Sequence, residues 1–229
     1  MSLARRLFTL SGVVPLGAFL VLHAIANATA LRGEAAFLRA ASSGERVPGL
    51  LAVEVLLVYV PLLFHAAFGA WLVATRTPLA EPSPYPGRWR LAVRATGVAG
   101  AVFLFFHLPE LRFRAPGARP SGGLLLTWLT ADLSSTFHGW PLVAVGYLFG
   151  SACTTFHFAA GTWGAFAASR LGASEARVRR GSAWGAAIAG FALWLAFADT
   201  VVLHATGARL FGDYAGESGG AGDAAKCPP

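Results

Sequence analysis

The sequence predicts an all-α membrane protein with five transmembrane helices, and three observations carry that prediction. Hydrophobic residues make up 55% of the chain and charged residues 13%, roughly half the charge of a soluble domain. The mean hydropathy is +0.58, which places the chain in the membrane class. Five apolar stretches, at about residues 8–31, 49–75, 91–109, 141–168 and 183–206, match the ~20 residues a helix needs to cross about 30 Å of hydrocarbon.

The first stretch follows Arg5-Arg6 and ends near Ala28-Thr29-Ala30, so it imitates a signal peptide with its cleavage site. Its apolar run is about 22 residues, against ~7–15 for a signal peptide, so we read it as a retained span. The second carries Glu54 just inside its outer edge and Pro61 further in, where proline bends a helix. The third is short before Pro109, and Arg94 extends it by snorkelling to the interface. Trp140-Pro141 opens the fourth with an interfacial aromatic and a helix-starting proline. The fifth contains Asp199, which we expect to be structural.

The connections are polar. Residues 76–90 are Pro-rich and basic, 169–181 hold four arginines, and 32–48 are mixed in charge. Within the long connection 110–140, Leu124–Leu133 reads as a short helix lying along the membrane surface. Residues 1–206 thus form one transmembrane domain. The Gly/Ala/Asp-rich tail, 207–229, is expected to be disordered.

The net charge of +7 is carried by arginines at the ends of apolar runs, since Lys226 is the only lysine. That placement points to lipid headgroups, not nucleic acid. With the N-terminus cytoplasmic and the C-terminus outside, inner segments hold ten Arg and outer segments eight Arg/Lys, the sign the positive-inside rule requires. Cys153 sits within an apolar run and Cys227 in the tail. Neither forms a C-x-x-C-H motif, so covalent haem attachment is excluded.

The informative residues are histidines. Phe64-His65 with Gly69 and Trp71 returns as Phe156-His157 with Gly161 and Trp163. Each is preceded by a stretch with a small-hydroxyl-Gly pair ending in a histidine: Ser11-Gly12 before His23, and Thr96-Gly97 before His107. Ionisable side chains in hydrocarbon are costly and mark function. Helix rise puts His23 and His107 roughly 20 Å from the inner edge, near the outer side. It puts His65 and His157 ~24 Å down from the outer edge, near the inner side. Two ligands of one haem iron must share a height, so His23 pairs with His107 and His65 with His157. The first four helices are then expected to bundle around two stacked b-type haems, their irons about 15 Å apart in height.

Other residues fit that picture. Gly69 and Gly161 lie one turn from a histidine and leave room for a porphyrin. Ser11, Arg94 and Thr96, near the inner ends of their spans, are within reach of the propionates of the inner haem. Glu54 is either a hydrogen-bonded carboxylate or a proton-exchanging group near an outer quinone or the outer haem. A single membrane histidine is as readily an interhelical hydrogen-bond partner. His138 and His204 break the pattern and are read as structural or solvent-exposed.

On these residues the chain resembles the five-helix, di-haem cytochrome b subunit of succinate:quinone oxidoreductases (succinate dehydrogenase and fumarate reductase). The resemblance covers about residues 3–206. It rests on Arg6, Ser11-Gly12, Pro15 and His23; on Glu54, Pro61, Phe64-His65 and Gly69; on Arg94, Thr96-Gly97 and His107; and on Phe156-His157 with Gly161. Val93 departs from it, since relatives often carry glutamine before the arginine. The resemblance implies that the four histidines ligate two haems and that the fifth helix supplies no ligand. It also implies flavoprotein and iron–sulfur partner subunits, with the succinate/fumarate active site on another chain. Menaquinone is the implied quinone, and the inner membrane of a bacterium the implied location. Two alternatives compete: a di-haem anchor of another quinone-linked dehydrogenase, and a haem-free transporter with a histidine proton relay.

Overall fold

A computed structural model of the chain describes residues 2–43, 48–77, 85, 87–112, 122–168, 176–208 and 210. Most of these residues are helical, and no strand occurs among them. Among the described residues, five helical segments are long and apolar enough to cross a membrane: Leu3–Ala28, Leu50–Ala74, Gly87–Leu111, Leu142–Ala167 and Arg180–Thr206. The chain is therefore a multi-pass membrane protein. The tail beyond Leu210, expected to be disordered, lies outside the described residues, as do most of the connections 76–90 and 169–181.

The first span is two helices, α1 (Leu3–Val13) and α2 (Pro15–Ala28). Pro15 lacks the N–H that would bond one turn back, so the helix bends there. The backbone bonds Val14 to Leu10 and Ala18 to Val14 carry its direction through the bend. A single 3₁₀ turn, Thr29–Arg32, leads to α3 (Glu34–Ser42), a short helix not anticipated in the mixed-charge connection.

The second span divides similarly, into α4 (Leu50–Glu54), a π-helical turn Val55–Tyr59, and α5 (Val60–Ala74). The Val60 N–H donates to the Val55 carbonyl, one residue further back than in an α-helix. The wider turn immediately precedes Pro61, which has no N–H of its own to give. In the third span, α6 (Gly87–Arg112) runs through Pro109 and beyond the limits expected for it. A helix does form in the long connection, α7 (Gly122–Leu133), with Leu129 and Leu133 buried, and the last two spans are α8 (Leu142–Ala167) and α9 (Ala176–Thr206).

Close packing uses small residues, as is usual where helices meet without a hydrophobic driving force between them. A Cβ built on Gly190 of α9 would lie 2.6 Å from the Ala159 Cβ of α8. One on Gly100 of α6 would lie 3.1 Å from Thr154 Oγ1. Trp194 Nε1 donates to the Leu148 carbonyl at 3.2 Å, and Thr200 Oγ1 to the Asn27 carbonyl at 3.2 Å, so α9 is tied to both α8 and α2. At the end where α3, α7 and the C-terminal turns of α9 meet, Ala30, Phe37, Leu129, Leu133, Ala144 and Val201 form a buried apolar core. Elsewhere large apolar side chains point outward, among them Leu22, Leu63 and Phe105. In water such a surface would aggregate; in a bilayer it faces lipid.

Candidate functional site

Four helices bring four histidines inward at two levels. His23 of α2 faces His107 of α6, with ring centroids 6.2 Å apart and planes at 68°. His65 of α5 faces His157 of α8, with centroids 6.2 Å apart and planes at 79°. These are the pairs that depth arithmetic had joined. Two imidazoles binding one metal from opposite sides, with bonds of about 2 Å, hold their centroids about 6.3 Å apart.

The pairs are supported differently. At the level of His23 and His107, each ring leans on a phenylalanine one turn earlier on its own helix. Phe19 stacks on His23 at 5.4 Å and Phe103 on His107 at 5.2 Å. Tyr147 meets the His107 ring edge-on at 5.6 Å, and its hydroxyl donates to Glu110 Oε2 at 3.1 Å. His107 Nδ1 is buried without a hydrogen-bond partner among the described residues.

At the other level each ring lies against the preceding span. His65 Nδ1 donates to the Phe8 carbonyl at 3.1 Å, and His157 Nδ1 to the Val93 carbonyl at 2.9 Å. A carbonyl only accepts, so both rings carry a proton on Nδ1, and in the neutral imidazole Nε2 is then the acceptor. Phe8 also stacks on His65 at 4.2 Å, with planes 10° apart.

The remaining candidates are distributed around these pairs. Ser11 Oγ lies 3.3 Å from His65 Nδ1 and donates to the Phe8 carbonyl at 2.9 Å. Thr96 Oγ1 donates within its own helix, to Ala92 at 2.8 Å and Val93 at 3.2 Å. Arg94 Nη2 donates to the Thr77 carbonyl at 3.1 Å, holding the end of the second span against α6. A Cβ at Gly161 would meet nothing within 4 Å, whereas one at Gly69 would make ordinary contact with Phe8 at 3.5 Å. Glu54 is half-buried where α4 passes into the π turn.

His138 is exposed, in a left-handed turn with φ 49°. His204 is bonded through Nδ1 to Thr130 Oγ1 at 3.0 Å and packs on Phe37, away from both pairs. Asp199 is buried and accepts the Leu210 N–H at 2.9 Å. Sequence reasoning missed Tyr85, whose hydroxyl donates to the Ala160 carbonyl at 2.6 Å beside Trp163. Burial pushes that phenol up to about 12, so it stays a donor.

Five spanning helices enclosing two levels of facing imidazoles define the class: a polytopic helical membrane protein with histidine pairs in its interior. No family model matches the chain, and no solved structure does. It is 32% identical over 161 residues to the succinate dehydrogenase cytochrome b558 subunit of Bacillus subtilis (strain 168), covering 69% of this chain and 75% of the relative. The chain belongs to the family of succinate dehydrogenase cytochrome b subunits.

Proposed function

We propose that this chain is the di-haem membrane anchor of a succinate:quinone oxidoreductase, passing electrons between an iron–sulfur subunit and membrane quinone. The observation that carries this reading is the pair of 6.2 Å imidazole separations, at two levels of one bundle. Each matches two nitrogen ligands on one iron. The protonated Nδ1 of His65 and of His157 supports it further, because Nε2 is then the ligating atom. Bound haem supplies one-electron ferric/ferrous cycling. The chain's own part is to hold four imidazoles, exclude water with apolar spans, and set the order of sites across the membrane.

His65 and His157 serve the inner site and His23 and His107 the outer one. Ser11, Arg94 and Thr96 lie at the inner level, and Gly69 and Gly161 flank the same histidines. Glu54, near the outer end of the second span, is assigned to quinone and proton exchange. The N-terminus is cytoplasmic and the C-terminus outside, in the inner membrane of a bacterium. The flavoprotein partner oxidises succinate on another chain, and menaquinone is the proposed acceptor.

A pyridine haemochrome assay on the purified complex should give about two protohaems per chain, from two bis-histidine sites. The flavoprotein and iron–sulfur chains should co-purify. One or no haem, or a complex with a different dehydrogenase, would overturn the reading.

A further inference from the structure

The hydroxyl-glycine pair that marks each half of the sequence has a structural counterpart, seen twice. In the first copy the Phe8 carbonyl accepts from Ser11 Oγ and from His65 Nδ1, at 2.9 and 3.1 Å. One residue after the serine, a Cβ at Gly12 would stand 2.5 Å from His65 Cε1. In the second copy the Val93 carbonyl accepts from His157 Nδ1 at 2.9 Å, and Thr96 Oγ1 approaches it at 3.2 Å beside a shorter bond of its own to the Ala92 carbonyl at 2.8 Å. A Cβ at Gly97 would stand 2.7 Å from His157 Cε1. Carbonyl, hydroxyl three residues on and glycine four residues on recur in the same order, against the histidine of the following span.

We propose that Ser11-Gly12 and Thr96-Gly97 are positioning residues: each pair forms a seat that fixes the rotamer and tautomer of the inner histidine on the next helix. The glycine lets the imidazole lie on bare backbone, since any side chain would push the ring away. The Ser11 hydroxyl shares the Phe8 carbonyl with the ring N–H and so limits how strongly that N–H is held; Thr96 does the same more weakly at Val93, because its shorter bond goes to Ala92. A stronger Nδ1–H bond makes a ligating imidazole more basic. Basic ligands favour the ferric state, so the hydroxyl holds the inner site's potential up. Among the described residues no such carbonyl reaches His107 Nδ1. The inference rests on the haem-ligand reading above.

The test uses the intact purified complex, read by electron paramagnetic resonance of the low-spin ferric haems and by redox titration. Gly12→Ala and Gly97→Ala should each shift or abolish the inner component's signal and leave the outer one in place. Gly185→Ala, where an added Cβ meets nothing within 4 Å, is the control expected to change neither. Ser11→Ala and Thr96→Val introduce no added bulk, so they decide the matter even if the glycine variants do not assemble. Ser11→Ala should move the inner component's midpoint potential negative, and Thr96→Val should move it in the same direction by less, without moving the outer one. Unchanged inner signals in the assembled glycine variants, or an unmoved inner potential in both hydroxyl variants, would overturn the seat. His65→Ala separates the two levels of the argument: if it spares both haems, the ligand reading itself has failed.

Discussion

At the scale of single residues, histidine height is the decisive property. His65→Ala and His157→Ala are expected to remove or alter the same spectral component, and His23→Ala and His107→Ala the other. Joint perturbation of one component by His23→Ala and His65→Ala would refute the pairing. Glu54→Gln keeps shape and hydrogen bonding but cannot ionise. It should leave haem content and dye-coupled succinate oxidation intact while strongly reducing succinate–quinone turnover. Unchanged quinone turnover over a range of pH would make the carboxylate structural. The four histidines were legible in the sequence because hydrocarbon makes any ionisable group conspicuous and helix rise converts position into depth. Gly12 and Gly97 were visible only as half of a repeat. Their role depends on which face of one helix meets which residue of another, and hydropathy carries no such information. Ser11 illustrates the same limit: depth placed it at the inner level, but only the interhelical contact places its hydroxyl on His65.

At the scale of elements, span limits followed from apolar run length, whereas α3 did not. Its Ala-rich sequence has good intrinsic helix propensity, which a reading by hydropathy and charge passes over, and Phe37 anchors it in the cluster made by α7 and α9. The tight α8–α9 contact is testable. Gly190→Val would drive a branched side chain into Ala159 and the Thr155 carbonyl, already 2.6 and 3.3 Å from a Cβ at that site. Overpacking of this kind costs about 1–3 kcal/mol, and a lowered Tm in detergent would show it. Tyr85 ties the start of the third span to α8. Tyr85→Phe removes the half-buried hydrogen bond to the Ala160 carbonyl and should cost about 1 kcal/mol. Because burial raises the phenol to about 12, the folded state holds its proton where the unfolded chain has lost it. That contribution is complete below about pH 10 and is lost as pH rises towards 12. An ultraviolet phenolate titration of the wild type and Tyr85→Phe should differ by one step near pH 12. A difference near pH 10 instead would place the hydroxyl in water.

At the scale of the whole molecule, the two ends differ. The apolar core under α3 and α7 closes the level of His23 and His107 from beyond. The opposite end, next to His65 and His157, carries Arg94 and Tyr85 at the helix ends. The proposed orientation turns this second end towards the cytoplasm, where the arginine count is higher and partner subunits would dock. A reporter enzyme active only outside the cytoplasm, fused at the C-terminus, should be active. The same reporter placed in the connection between the second and third spans should be silent. The reverse result would invert the assignment of inner and outer sites but leave the pairs as they are.

The seats have a consequence for biogenesis. In both copies the backbone that receives an imidazole belongs to the span made just before it: Phe8 and Gly12 for His65, Val93 and Gly97 for His157. Chains enter the membrane from the N-terminus, in the order of synthesis. Each of these two histidines therefore emerges towards backbone already laid down. The join between hairpins then brings two nitrogens, each already held by its own hairpin's backbone, to face each other. A nascent chain halted after the second span would already contain both His65 and the carbonyl that receives its N–H.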